Sequence, residues 1–149
     1  MILVSACLVG LNCKYNGGNN FNEKIFNLVK EGKAIIVCPE QLGGLTTPRL
    51  PSEIKIINGK KYVIRNDGYD VTKEYERGAN EVLRLAKELN ISKAILKSKS
   101  PSCGCGIIYD GTFTGKKISG NGITTSLLIE NGIEVITEKD DIDNFIKNI

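Results

Sequence analysis

Four short apolar runs, separated by helical segments or turn-rich loops, limit what this chain can fold into. They are Ile2–Ala6, Ala34–Val37, Lys93–Lys97 and Ile133–Ile136. Short runs rich in β-branched residues and bounded by Gly, Asn and Pro read as strands rather than helices. After the first run comes a loop through Gly10, Asn12, Gly17, Gly18, Asn19 and Asn20. A helix follows, with Phe21, Ile25, Leu28 and Val29 on one face and Gly32 as its stop. Asp70 or Thr72 caps a longer helix to about Asn90, whose apolar face is Tyr75, Ala79, Val82, Leu83, Ala86 and Leu89. Gly122 opens a helix to Asn131, and Thr137 caps a final one with Ile142, Phe145, Ile146 and Ile149 inward.

Strands joined through helices pair in parallel, and right-handed crossovers leave few topologies. The pattern predicts a single-domain α/β fold over residues 1–149. Its sheet is open and mainly parallel, ordered 2-1-3-4 in the four runs, with helices on both faces. Small β-hairpin insertions are expected at Ile54–Ile57 and Tyr62–Arg65 around Asn58-Gly59, and near Asp110-Gly111. Gln41 to Glu53, with Gly43-Gly44 and two prolines, reads as an ordered loop.

Three of the five cysteines follow these runs: Cys7, Cys38 and, a few residues on, Cys103. In that strand order the three carboxyl ends are neighbours spaced about 4.8 Å apart, so their thiols can close onto one centre. A lone buried cysteine is usually a small hydrophobe. Three at the edge where open α/β sheets bind ligands point to a soft metal centre with one position free.

The chain has no histidine, which removes Ser-His-Asp and Cys-His nucleophiles and imidazole acid–base chemistry. Its net charge of +3 comes from scattered lysines, without the basic block of a nucleic-acid groove. No cationic leader or membrane-length apolar stretch is present, and an odd count of five cysteines argues against a disulfide framework. A cytoplasmic protein is expected, with reduced thiols.

Glu40 lies two residues after Cys38, behind a proline. It either moves protons beside the centre or pairs with the following loop. Ser100 and Ser102 precede Cys103 in a loop whose N–H groups either donate to sulfur or substrate or serve only the turn. Arg49 either closes over a ligand or lies on the surface. Asp110, Gly122 and Thr124 could add a helix N-terminus to the cleft. Cys13 and Cys105 form no Cys-x-x-Cys knuckle and read as peripheral thiols.

Five segments occur in order: Ser5-Ala6-Cys7-Leu8-Val9-Gly10, Cys38-Pro39-Glu40-Gln41-Leu42-Gly43-Gly44, Thr47-Pro48-Arg49, Ser98-Lys99-Ser100-Pro101-Ser102-Cys103-Gly104 and Tyr109-Asp110-Gly111-Thr112-Phe113. Together they resemble the TudS-like thiouracil desulfidases, over nearly the whole chain. The resemblance implies a [4Fe-4S] cluster on Cys7, Cys38 and Cys103, whose fourth iron takes the sulfur of a thiolated pyrimidine. It implies Glu40 and Ser100 as catalytic residues, and Arg49 and Ser102 are expected to face the substrate. Cys105 departs from the family pattern. The implied activity is hydrolytic, non-redox removal of sulfur from a small thiolated pyrimidine. RNA-borne substrates and a homodimer remain open. Two other functions fit the thiols: a sulfur carrier, and a zinc module on Cys7, Cys13, Cys103 and Cys105.

Overall fold

The computed structural model describes residues 1–149. The first half runs β1 (Ile2–Ser5), α1 (Glu23–Lys30), β2 (Ala34–Val37), α2 (Pro39–Leu42), β3 (Ser52–Ile57) and β4 (Lys60–Arg65). The second runs α3 (Thr72–Glu88), β5 (Lys93–Leu96), β6 (Ile107–Tyr109), β7 (Lys117–Ser119), α4 (Ile123–Glu130), β8 (Glu134–Thr137) and α5 (Ile142–Phe145). No helix is long and apolar enough to cross a membrane.

The central sheet is parallel and ordered β2-β1-β5-β8, which is the 2-1-3-4 order that the four apolar runs predict. Its alternation assigns the two cores. Ile2, Val4 and Ile95 pack with Ile25 and Leu28 of α1 and with Ile142 and Phe145 of α5. Leu3, Ala94 and Leu96 face the other way, onto Val82 and Ala86 of α3 and Leu128 of α4. β1 is covered on both faces, which is why it reads as an unbroken apolar run. β3 and β4 form a hairpin through Asn58 and Gly59, whose φ values of 52° and 77° are those a tight hairpin turn requires.

Three local expectations change. Phe21 is not on the inner face of α1: it precedes the cap Asn22, is 54% exposed and rests on Phe26. Asn22 accepts the Ile25 N–H, so the helix starts after Phe21. The final helix is only Ile142–Phe145, capped by Asp141 rather than Thr137. Thr137 ends β8, and Asp140 receives its N–H. The segment read as loop from Gln41 begins inside α2, whose Pro39 is preset for a first helical turn.

α2 and α3 cross at two glycines. A Cβ on Gly43 would land on the Glu74 carbonyl oxygen, and one on Gly78 on the Pro39 carbonyl oxygen. Gly78→Ala should therefore destabilise the protein. Its gain in helix propensity is about 1 kcal/mol, whereas overpacking against backbone costs about 3 kcal/mol or more. Urea unfolding of the two proteins checks the sign.

Candidate active site

β1 leads directly into a 3₁₀ turn, Ala6–Val9, which Gly10 closes at a φ of 93°. This turn places Cys7 just past the sheet edge. The Gly/Asn loop then folds back over it: Asn20 N–H donates to the Cys7 carbonyl at 2.9 Å, and Asn20 Nδ2 lies 3.7 Å from Cys7 Sγ. Lys14 Nζ donates to Asn20 Oδ1 at 3.2 Å and fixes the amide so that its NH₂ faces the sulfur. Burial raises the Cys7 thiol pKa, and the Asn20 bond opposes that rise.

Cys38 caps α2, so the residue two further on, Glu40, projects from the first turn of that helix. Glu40 and Arg49 form a largely buried pair, with side chains 13% and 9% exposed. Arg49 Nε donates to Glu40 Oε1 at 3.0 Å, and Nη2 lies 3.0 Å from the same oxygen. The remaining contacts are Nη1 to the Thr46 carbonyl and Thr47 Oγ1, and Nη2 to the Cys13 carbonyl at 2.9 Å. These contacts occupy the guanidinium fork, so Arg49 orients Glu40 rather than presenting free donors to a ligand. Tyr75 lies buried against Glu40; burial first, then the carboxylate's charge, keep its hydroxyl protonated.

The Cys103 loop is held from behind by α4. Its carbonyls at Pro101, Ser102 and Gly104 accept the N–H groups of Ile123, Thr124, Thr125 and Gly122, the orphan donors of a helix start. Thr125 Oγ1 adds a bond to the Cys103 carbonyl at 2.8 Å. Gly122 is required, because a Cβ there would lie 2.5 Å from the Ser102 carbonyl. That helix start is thus consumed by the loop and does not face the cleft, contrary to the sequence expectation for Gly122 and Thr124.

With its carbonyls turned toward α4, the loop turns N–H groups the other way. Ser100 Oγ accepts from the N–H of Ser102 at 3.1 Å and of Cys103 at 2.8 Å. Ser102 Oγ donates to Glu40 Oε2 at 2.8 Å, so its hydroxyl is bound to the catalytic candidate rather than left free. Ser5 Oγ and Ser102 Oγ lie 3.4 and 3.6 Å from Cys103 Sγ. Burial pushes the Cys103 thiol up to about 12, and the Ser5 hydroxyl opposes that rise. Metal binding would have to displace that proton.

Cys7, Cys13, Cys38 and Cys103 line one cleft of about 590 Å³, together with Glu40 and Ser100. Cys13 is not peripheral as the sequence suggested: it is 6% exposed, and its carbonyl lies 3.9 Å from Cys38 Sγ. The adjoining Cys13 thiol, and secondarily the Gln41 N–H, lower the Cys38 thiol against its burial. Cys105 points elsewhere, toward the Val135 carbonyl at 3.6 Å. This removes the zinc module on Cys7, Cys13, Cys103 and Cys105. No three Cys, Asp or Glu side chains converge tightly enough to hold a single ion. Ser5, Asn20 and Tyr75 were not singled out from sequence. Ser5 directly precedes the Ala6-Cys7 step and was legible in principle, whereas Asn20 and Tyr75 reach the cleft only through tertiary packing.

Fold and site together define an open α/β protein with a thiol-lined cleft at the carboxyl edge of its sheet. The model of the 2-thiouracil desulfurase family matches residues 2–140, and the chain belongs to that family. It is 51% identical over 146 residues to YbbK, an uncharacterised protein of Bacillus subtilis strain 168, covering 94% of this chain and 97% of that one. Its fold also matches the solved structure of the [4Fe-4S]-dependent thiouracil desulfidase TudS. There the TM-score is 0.85 at 44% identity, over 92% of this chain and 89% of the other.

Proposed function

We propose that this protein removes sulfur from thiouracil, or a closely related thiolated pyrimidine, by hydrolysis at a [4Fe-4S] cluster. The observation that carries this reading is the meeting of Cys7, Cys38 and Cys103, from the ends of three adjacent parallel strands, in one cleft beside Glu40. The donor set fits an iron–sulfur cluster. It is all sulfur, with Ser5 and Asn20 donors directed at Cys103 and Cys7, the kind of outer contacts that stabilise thiolate ligands. When bound, a cluster with three protein ligands supplies a soft Lewis acid that prefers a thiocarbonyl sulfur to water.

The chain's own residues supply the rest. Ser100 faces the cleft with its oxygen held by two N–H groups, ready to exchange a proton with the attacking water. Glu40 serves as the proton store, in an orientation set by Arg49. Water adds at the ring carbon, the carbon–sulfur bond breaks, and the products are the oxo-pyrimidine and hydrogen sulfide; no electron is gained or lost. All five cysteines are free, which suits a reducing compartment, and we assign the protein to the cytoplasm.

Anaerobic reconstitution followed by incubation with thiouracil tests the reading. Uracil and sulfide should appear in equal amounts over many turnovers. Sulfide retained without released uracil would instead indicate a carrier, and iron-free protein with full turnover would refute the cluster.

A further inference from the structure

Glu40 and Ser100 do not touch. Ser102 stands between them, with Oγ 3.0 Å from Ser100 Oγ and 2.8 Å from Glu40 Oε2. We propose that Ser102 is a proton relay, and that Glu40 acts on the reaction only through Ser102 and Ser100. This deepens the desulfidase reading and rests on it.

Donor and acceptor counts give the direction. Ser100 Oγ already accepts two backbone N–H groups, so both its lone pairs are engaged and its hydroxyl hydrogen is what remains to give. Ser102 Oγ is the acceptor within reach. Ser102 must then direct its own hydrogen to Glu40 Oε2, which accepts it at 2.8 Å. The other carboxylate oxygen is held by Arg49. The chain Ser100–Ser102–Glu40 is therefore polarised toward the carboxylate.

In the forward step Ser102 passes its own hydrogen to Glu40 and Ser100 passes its own to Ser102, which leaves Ser100 Oγ a third lone pair. That lone pair takes a proton from water as water adds to the ring carbon. One proton has moved from water to Glu40, and both serines end neutral. The same chain run backwards returns that proton to the leaving sulfur. The two N–H groups on Ser100 Oγ stabilise the negative charge it carries while the proton is in transit. Ser102 is thus a positioning and relay residue and need not contact substrate.

A purely structural Ser102 is the competing role, because its Oγ also lies 3.6 Å from Cys103 Sγ. Reconstituted Ser102→Ala, Ser102→Thr, Glu40→Gln and the Ser102→Ala/Glu40→Gln double variant separate the two roles. The readouts are bound iron, thiouracil kcat and KM, and the rate in mixtures of light and heavy water. A relay requires Ser102→Ala to keep its iron and KM while kcat falls roughly 10²–10³-fold, in the range of a lost general acid–base group. Ser102→Thr keeps the hydroxyl and should recover most of the rate. Glu40→Gln should add little to Ser102→Ala, because both break one chain. The wild-type rate should curve with deuterium fraction, as expected for several protons moving together, and the Ser102→Ala rate should not. Wild-type kcat in Ser102→Ala, iron loss in proportion to rate, or fully multiplicative effects in the double variant would each overturn the relay. None of these results touches the desulfidase reading, which fails only if cluster-loaded wild-type protein leaves thiouracil intact.

Discussion

Cys7→Ala and Cys103→Ala proteins, reconstituted anaerobically, should come out colourless, with iron falling from about four per chain to background. Each substitution leaves two protein ligands, and no other thiol stands where the lost one stood. Cys103 is buried and its sulfur is flanked by Ser5 and Ser102, while Cys105, two residues on, faces Val135. Cys38→Ala should be the mildest of the three. Cys13 sits in contact with Cys38 and offers a substitute thiol from the neighbouring loop. Cys105→Ala should load normally. Cys13→Ala should also retain its cluster, since the carbonyl that anchors Arg49 survives the substitution. Iron and sulfide analysis with visible absorption reads all five variants; bleaching by Cys13→Ala with an intact Cys7→Ala would reverse the ligand assignment.

Glu40→Gln should keep its iron and lose about 10²–10⁴-fold in kcat. Glutamine preserves shape but cannot store a proton, and it faces Arg49 without charge. Because that pair is largely buried, the orphaned guanidinium should also lower stability, by about 3 kcal/mol. The two losses are separable: kcat per bound iron measures the chemistry, and urea unfolding measures the pair. If Glu40 were an iron ligand, iron would be lost with the activity. A wild-type rate per iron would dismiss Glu40 from the reaction.

The sheet was legible in the sequence because its signals are local and mutually consistent. Ile2–Ser5 and Ala34–Val37 are short, apolar and joined through an amphipathic helix, so parallel pairing and strand order follow from handedness rules. That Cys7, Cys38 and Cys103 line one cleft follows from the same rules. Less legible were features that depend on how surfaces meet. α2 is a single turn, below the length at which periodicity speaks, and it is fixed by the glycine crossing with α3. Cys13 lies in a loop without period, and its place beside Cys38 is set by Arg49, thirty-six residues away. Arg49 and Ser102 looked like substrate contacts from position; their partners, Glu40 above all, became visible only when the loops were folded together.

The most direct test of the central claim is an iron-edge anomalous diffraction map of the anaerobically reconstituted protein. One compact group of iron atoms should appear in the cleft, bonded to the sulfurs of Cys7, Cys38 and Cys103, with one iron free of protein ligands. A single metal peak, or a group held by Cys13 or Cys105 in place of any of those three, would contradict it.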